Sequence, residues 1–479
     1  MRRAWLALGL MVTAGAGGLA LAGIGAGPSI GILAGLFIVA GVVAVFGAET
    51  AELALFAVGA LVFTVTWNGI RVGGGGLGNV FMALAFAAVV AHVVGSRRSL
   101  PLPPWLFVAG LGFLLAGLLS MVFPPNAELA QRSVMTELNF KFQSGVPGLA
   151  QAPSNQGELF RYELAVILTP ILIAAVGTTP RRCRRLMDVW VAGALVNASV
   201  GVLDLMGIHL GPIPYTDHRS AGLTVQSNYL ALTCVLAIPM VMLWFGRSRG
   251  WTLAGAGGLL LLLGGVYASG SRAGTIAALL ALGATFVVLP HLRPALVRAL
   301  PFVGMALVVI LMFTKTGSHI LKQVRLGGSS NTTTTVSNYR RSTAATVAWS
   351  QIKARPLEGV GFSVIANAHD IFLELLDAGG VIALAAFAVF LGGLAGAFRR
   401  AARGALRREA LVCAVAIVAW LAYGVFANQV ADKFLYVVPG ILLAIAGASR
   451  VREAAPAARA TGAQRPAPAP QALVRAGAP

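Results

Sequence analysis

Residues 380–397 read GVIALAAFAVFLGGLAGA, an apolar run without a charged side chain that ends just before Arg399 and Arg400. A helix needs about 20 mainly apolar residues to cross a hydrocarbon core about 30 Å thick, so this run predicts a membrane helix. Similar runs recur on both sides of it along most of the chain. This repetition favours an all-α integral membrane protein.

The composition supports the same fold class. The chain has 479 residues, of which 57% are hydrophobic and 11% are charged, and its mean hydropathy is +0.82. A soluble domain of this length would need more polar residues to cover its surface. We therefore predict a polytopic bundle of about 14 transmembrane helices. The apolar runs lie near residues 4–24, 30–47, 50–66, 78–96, 104–123, 162–178, 187–206, 228–245, 251–268, 273–289, 299–315, 380–397, 409–427 and 433–449.

The positive charge indicates how the bundle is oriented. The net charge is +20, from 36 Lys and Arg against 16 Asp and Glu. Most cations fall in short loops, which the positive-inside rule assigns to the cytoplasm, where they would contact anionic membrane lipids. Both termini are then cytoplasmic. No nucleic-acid partner is expected, because aromatic residues do not interleave with the basic clusters. The residues placed inside are Arg2, Arg3, Arg97, Arg98, the run 181–185, Arg247, Arg249, Arg293, Arg298, Arg399, Arg400, Arg403, Arg407 and Arg408.

The same topology places several polar loops outside, the longest at residues 316–368. Within it, Thr332–Thr335 predicts a polar and mobile stretch. Residues 342–354 predict an amphipathic helix on the membrane surface, because apolar side chains recur there at helical spacing. These side chains are Ala345, Ala348, Trp349 and Ile352.

Isolated arginines stand out on this outer side, where positive charge is otherwise scarce. Arg219 opens the sequence RSAGL, and Asn228 follows it at the start of a membrane helix. Arg272 lies in the turn SRAG at residues 271–274, and Arg341 lies in the predicted surface helix. A guanidinium group stays protonated and binds phosphate oxygens bidentately, so the three arginines predict a pyrophosphate site.

Two further motifs follow in order. The sequence PLEGVG at residues 356–361 predicts the end of the surface helix, because Pro and Gly oppose its continuation. The sequence HDIFL at residues 369–373 places His369 where the loop returns to a membrane helix. Imidazole titrates near neutral pH and can take a proton from a hydroxyl group.

With these motifs, residues 210–395 resemble the O-antigen ligase and O-unit polymerase superfamily. The family pattern has an Arg, a spacer, Pro-Leu-x-Gly-x-Gly, and then His-Asn-x-Phe-Leu before a helix; Arg341 and the two motifs after it follow this order. The Arg219 motif and the Arg272 turn match two upstream signatures. One position differs: the usual Asn after the histidine is Asp370 here.

The resemblance implies a fold like that of C-type glycosyltransferases, with a large periplasmic loop carrying short helices, in the bacterial inner membrane. It implies a glycan donor on undecaprenyl pyrophosphate, an acceptor hydroxyl on the lipid A core or another glycan, and inversion at the anomeric carbon. It also implies that His369 is the general base that takes the proton of the acceptor hydroxyl, and it implies neither a metal nor a cofactor. The outer loops show no carboxylate pair or cluster in sequence, so arginines would replace a metal at the leaving pyrophosphate.

Arg340, Asp370 and Asn228 are expected to support these groups. Asp370 is expected to cap the helix after His369, and its negative charge to raise the pKa of the imidazole. The simpler alternatives are an interfacial histidine and arginines that extend to the lipid head groups. No metal site is expected, because the outer histidines are too scattered: His209, His218 and His319.

We expect four regions along the chain. Residues 1–206 would be membrane scaffold, 207–397 a ligase-like catalytic region with periplasmic loop 316–370, 398–452 further membrane helices, and 453–479 a disordered cytoplasmic tail.

The acceptor stays open at this point. A lipid A core acceptor would make the protein a ligase, a lipid-linked repeat unit a polymerase, and a protein side chain an oligosaccharyltransferase. A flippase for lipid-linked glycans is an alternative from another class, although the chain lacks the internal repeat common in transporters. A membrane scaffold would leave the ordered motifs unexplained.

Overall fold

The computed structural model describes residues 50–72, 75–96, 103–124, 155–213, 219–245, 247–294, 332–362, 368–426 and 430–462. The predicted helices at 4–24, 30–47 and 299–315 lie outside these residues, as do His218 and His319. The predicted total of about fourteen helices therefore stays a prediction. The other eleven predicted runs all overlap described helices.

The regular secondary structure of the described residues is helical apart from one short antiparallel ladder between β1 (Arg71–Val72) and β2 (Gly75–Gly76). The α-helices are α1 (Thr50–Thr64), α2 (Leu77–Ser96), α3 (Pro104–Val122), α4 (Asn155–Glu163), α5 (Thr169–Val176), α6 (Pro180–Leu205), α7 (Ser227–Val241), α8 (Arg249–Ala268), α9 (Arg272–Val288), α10 (Thr332–Ala354), α11 (Ile371–Ala401), α12 (Arg407–Gly424) and α13 (Val437–Gly462). A π-helical turn, Leu164–Leu168, joins α4 to α5, and 3-10 turns lie at Met242–Trp244, Pro290–Leu292 and Lys433–Tyr436.

Length and composition make this a multi-pass membrane protein. Seven described helical segments are long and apolar enough to cross a bilayer, and three shorter apolar helices accompany them. The seven are Leu77–Ser96, Pro104–Val122, Gln156–Val176, Pro180–Leu205, Ser227–Trp244, Arg249–Ala268 and Ile371–Ala401.

Helix α7 is the central helix of the described bundle. It contacts α6, α8, α9 and α12, and every residue from Leu230 to Val241 is buried. Asn228 is the second residue of α7, at the N-terminal end of this helix. The buried helix therefore holds the groups at its end in fixed positions.

Helix α11 begins at Ile371, nine residues before the predicted start at 380, and is broken at Gly379 and Gly380. The turn that follows α10, at residues 356–361, hydrogen-bonds to the backbone at this break. The N–H groups of Val360 and Gly361 donate to the carbonyl oxygens of Asp377 and Ala378 at 2.8 and 2.9 Å, and Val381 N–H donates to Pro356 O at 2.9 Å. The PLEGVG motif therefore does more than end a helix, because it supplies partners for backbone groups that the break leaves unpaired.

Helix α10 is longer than predicted. It spans Thr332–Ala354, so the Thr332–Thr335 stretch expected to be mobile is helical instead. Trp349, one of the apolar side chains that recur at helical spacing, is 50% exposed. The buried residues of this helix are Ala344, Ala348, Gln351 and Ile352.

The last described helix also differs from its predicted extent. α13 continues to Gly462, whereas a disordered tail was expected from residue 453. Residues 463–479 lie outside the described part of the chain.

Candidate functional site

Arg219 lies across the turn that joins α8 to α9. Its Nε donates to Ser269 O at 2.9 Å, and its Nη2 donates to Asn228 Oδ1 at 2.8 Å. Gly270 in this turn has a φ of +60°, and a Cβ there would stand 2.9 Å from Arg219 Cγ. The glycine thus makes room for the arginine side chain, which joins the turn to the first residues of α7.

Buried polar groups on α6 hold the loop that carries Arg219. The Ser220 hydroxyl donates to Asp204 Oδ2, and Leu223 N–H donates to Asn197 Oδ1 at 2.8 Å. Gly222 has a φ of +57°, and a Cβ there would stand 2.5 Å from Asn197 Oδ1. The backbone of the loop is therefore fitted closely against α6.

Arg272 is the first residue of α9 and is exposed. Ser271 precedes it as the N-cap, and its Oγ accepts a hydrogen bond from Gly274 N–H at 3.2 Å. The start of a helix carries partial positive charge, so Arg272 adds a full charge where an anion is already favoured.

Tyr423 lies between these groups, and the sequence analysis did not single it out. It is the penultimate residue of α12 and is 1% exposed. Its hydroxyl donates to Asn228 O at 3.0 Å and lies 3.5 Å from Ser271 Oγ. Both Arg219 and Arg341 interact electrostatically with this hydroxyl.

Arg341, from α10, joins the same group of charges. It is half-buried, and burial lowers the pKa of its guanidinium below the ordinary value, with a further lowering from the positive charge of Arg272. Arg341 is thus close enough to Arg272 and Tyr423 to interact with both of them. A bound anion would relieve the repulsion between the two guanidinium groups.

His369 lies beside Arg341. Burial first, and then the positive charge of Arg341, lower the pKa of its imidazole from 6.5 to about 4. The expected rise caused by Asp370 was therefore wrong in direction. His369 also has a φ of 56°, the left-handed region that bulky side chains rarely adopt, which is common at functional sites.

Asp370 caps α11, as expected. Its Oδ1 accepts from Phe372 N–H at 2.8 Å and from Leu373 N–H at 3.0 Å. These two bonds fix the backbone just after His369. Arg340 lies in α10 next to Arg341, but its side chain lies outside the described residues.

Carboxylates meet beside this site, which sequence spacing did not indicate. Arg161 Nη1 donates to both Glu158 oxygens at 2.7 and 2.9 Å, and its Nη2 lies 3.9 Å from Asp432 Oδ1. The Tyr162 hydroxyl donates to Glu374 Oε1 at 2.5 Å. Carboxylates from residues far apart in sequence therefore come together here, which the sequence alone did not show.

This carboxylate cluster is no obvious metal centre. In the described part of the chain, no group of three or more His, Cys, Asp or Glu is arranged to hold a metal ion. Metal-independent chemistry stays a prediction.

Comparison with known families agrees with the motif order. Residues 257–388 match the family model described as O-antigen ligase. This segment contains Arg272, Arg341 and His369, whereas Arg219 and Tyr423 lie on either side of it. A comparison with curated proteins found no match. The family match supports the assignment of the chain to the O-antigen ligase superfamily.

Proposed function

We propose that this protein is a membrane glycosyltransferase that moves a glycan from undecaprenyl pyrophosphate to an acceptor hydroxyl. The reaction would take place at the periplasmic face of the bacterial inner membrane, with both chain termini in the cytoplasm. The observation that carries the proposal is the grouping around the Tyr423 hydroxyl, which bonds Asn228, the partner of Arg219, and lies beside Ser271, which precedes Arg272. Arg341 interacts electrostatically with Arg272, Tyr423 and His369. The family match agrees with it.

The arginines would bind the donor pyrophosphate and stabilise it as the leaving group. Breaking the bond from the anomeric carbon to the phosphate oxygen leaves negative charge on the pyrophosphate, and fixed guanidinium groups offset that charge. Arg219 is held by Ser269 and Asn228, so it needs little reorganisation when the charge develops. Arg341 and Arg272 would complete the anion site from α10 and α9.

His369 would accept the proton of the acceptor hydroxyl while the hydroxyl oxygen attacks the anomeric carbon. With a pKa of about 4, the imidazole is neutral at pH 7 and has a free lone pair. Burial first, and then the positive charge of Arg341, disfavour the charged form and make this imidazole a weak base. A bound pyrophosphate would offset the charge of Arg341, raise the pKa of His369 and so couple donor binding to base strength.

The balanced step forms one bond between the acceptor oxygen and the anomeric carbon and breaks the bond to lipid pyrophosphate. The proton moves from the hydroxyl to His369. Direct displacement by the acceptor inverts the anomeric configuration. No metal or cofactor takes part in this step as proposed.

A repeat-unit polymerase would use the same site with a second lipid-linked glycan as acceptor. Transfer to the lipid A core would make the protein a ligase, which is the reading that the description of the matching family favours. Against a flippase, the candidate groups lie at helix ends: Arg272 begins α9, Asn228 begins α7, and Tyr423 ends α12. A carrier would need such groups near the middle of the bilayer.

The test is glycan transfer by the purified protein in liposomes, supplied with polyprenyl-pyrophosphate-linked glycan, an acceptor lipid and EDTA. We expect wild type to transfer glycan, and His369→Ala and Arg341→Ala to lose about 100-fold or more of the rate. Arg249→Ala is the matched control, because Arg249 begins α8 about 30 Å along the helix from the Ser269 turn. It should leave the rate unchanged.

The products separate the remaining possibilities. One added chain on the acceptor indicates a ligase, and a ladder of repeat units indicates a polymerase. Translocation of the lipid-linked glycan without a new glycosidic bond would overturn the proposal, as would normal transfer by His369→Ala.

A further inference from the structure

Two buried polar side chains of α6 both hold the loop that carries Arg219. Asn197 and Asp204 lie seven residues apart, which places them on the same face of the helix, and they are 0% and 3% exposed. Helix α6 is long and apolar enough to cross the bilayer, and polar groups inside such a segment are costly to bury. Packing alone therefore does not account for these two residues, because apolar side chains would pack there at a lower cost.

Asp204 fixes the residue that follows Arg219. The Ser220 hydroxyl donates to Asp204 Oδ2 and accepts a hydrogen bond from Gly222 N–H at 3.0 Å. The backbone N–H of Ser220 donates to Ala268 O, at the end of α8, at 2.9 Å. Ser220 is thus held by α6 through its side chain and by α8 through its backbone, so the Cα of Arg219 beside it has a defined position.

The side chain of Arg219 depends on that position. Its Nε and Nη2 donate to Ser269 O at 2.9 Å and to Asn228 Oδ1 at 2.8 Å. These acceptors belong to the turn after α8 and to α7, whereas Asp204 belongs to α6. A planar guanidinium group can reach both acceptors only when its backbone is placed correctly relative to them. Without the bond to Asp204, the loop would lose this tie to α6 and the guanidinium group its fixed place.

We propose that Asp204 is a positioning residue for glycan transfer, which acts through Ser220 to hold Arg219 where it meets the donor pyrophosphate. The proposal rests on the proposed function, since it deepens the assignment of Arg219 to the anion site. Asp204 itself is buried and is assigned no contact with the substrate. Its removal should therefore act only through Arg219.

The first test is steady-state transfer kinetics in liposomes, with the concentration of the polyprenyl-linked donor varied. We expect Asp204→Leu to raise the KM for the donor about tenfold and to change kcat by less than about threefold. Asp204→Asn keeps an acceptor oxygen for Ser220 and a polar group towards His209, whose Nδ1 lies 3.6 Å from Asp204 Oδ1. This variant should stay within about twofold of the wild-type KM.

The matched control is Asp188→Leu, on the same helix. Asp188 accepts hydrogen bonds from Trp244 Nε1 at 2.7 Å and from Arg247 Nη1 at 3.1 Å, so this variant also loses a bonded carboxylate of α6. Asp188 lies 16 residues before Asp204, which is about 24 Å along the helix. Asp188→Leu should keep the wild-type KM for the donor.

The second test is a double-mutant cycle with Arg219→Ala. If Asp204 acts through Arg219, adding Asp204→Leu to Arg219→Ala should change kcat/KM by less than about twofold, although Asp204→Leu alone lowers it about tenfold. A side chain that only stabilises the bundle would reduce kcat/KM by the same factor in both backgrounds.

The outcomes separate the two proposals. If wild type transfers no glycan, the proposed function fails and the role of Asp204 fails with it. If wild type transfers glycan, the positioning role is overturned by a normal KM in Asp204→Leu, by an equal loss in Asp204→Asn or Asp188→Leu, or by independent effects in the cycle.

Should Asp204→Leu fail to fold, Ser220→Ala removes the same hydrogen bond from the loop side. We expect it to raise the donor KM about tenfold, and to have little effect once Arg219 is alanine. An unchanged KM in Ser220→Ala would overturn the proposal.

Discussion

Gly380 and Leu357 are in direct backbone contact: a Cβ on Gly380 would stand 2.1 Å from the carbonyl oxygen of Leu357. Gly380 also has a φ of +61° and a ψ of −158°, a region open almost only to glycine. The contact lies where the PLEGVG turn enters the break in α11. It ties the end of α10, which carries Arg341, to the helix that begins after His369.

The first prediction concerns this contact. Gly380→Ala should lower the free energy of unfolding by about 3 kcal/mol, because both the backbone conformation and the approach of Leu357 exclude a Cβ. Thermal unfolding in detergent measures it. Gly392→Ala is the control on the same helix, where a Cβ would meet nothing within 4 Å, and it should be neutral or slightly stabilising. Equal melting temperatures for the two variants would contradict the described break.

The second prediction concerns Arg219. A lysine cannot donate to both Ser269 O and Asn228 Oδ1 in the fork geometry of arginine, although it keeps the charge. Arg219→Lys should therefore lower transfer about tenfold, mainly through a higher KM for the lipid-linked donor. Steady-state kinetics in liposomes decide this. Full activity of the lysine variant would mean that charge alone is required at this position.

The third prediction concerns the ionisation of His369. Removing the neighbouring positive charge with Arg341→Gln should raise the pKa of the imidazole above about 4 in the ligand-free protein. The pH dependence of carbethoxylation at His369, followed by mass spectrometry, reports the neutral form. Arg249→Gln should leave the profile unchanged. A downward shift in Arg341→Gln would show that the two side chains do not interact as described.

The same lowered pKa affects stability in acid. In the unfolded chain His369 binds a proton below about pH 6.5, whereas in the folded protein it does so only below about pH 4. Between these values the unfolded state holds more protons, so acidification through this window favours unfolding. His369→Gln should therefore lose less stability than wild type between pH 7 and pH 5, as measured by melting temperature.

The fourth prediction concerns the cap of α11. Asp370→Ala removes the acceptor for Phe372 N–H and Leu373 N–H and should cost about 1 kcal/mol of stability. Asp370→Asn keeps an oxygen in the same place and should be close to wild type. Chemical denaturation of both variants provides the measurement. If the alanine variant is as stable as the asparagine variant, the cap contributes little.

The sequence identified candidate site residues but not the contacts among them. Arg219, Arg272, Arg341 and His369 could be selected because rare polar residues in ordered motifs shared one predicted side of the bundle. Tyr423 could not, since it lies in an apolar run whose composition is that of any membrane helix. Its role depends on the neighbours that packing gives it.

Two features were missed because the sequence does not show which side chains are close in space. The sign of the shift at His369 was wrong because Asp370 is adjacent in sequence but uses its carboxylate to cap α11, whereas Arg341 and burial act through space. The carboxylate cluster was missed because Glu158, Glu374 and Asp432 come from three separate parts of the chain. Helix positions could be predicted from hydropathy, because a segment that crosses lipid must be a helix that forms its backbone hydrogen bonds internally and carries mainly apolar side chains.

The pairing of the PLEGVG turn with the break in α11 uses backbone atoms only. Exposed positions such as Leu357 can therefore exchange side chains during evolution without disturbing it. Length is a different matter. One residue inserted between Pro356 and Val360 would put the three hydrogen bonds out of register, so the exposed positions of this turn should accept substitutions far more readily than the turn accepts insertions or deletions.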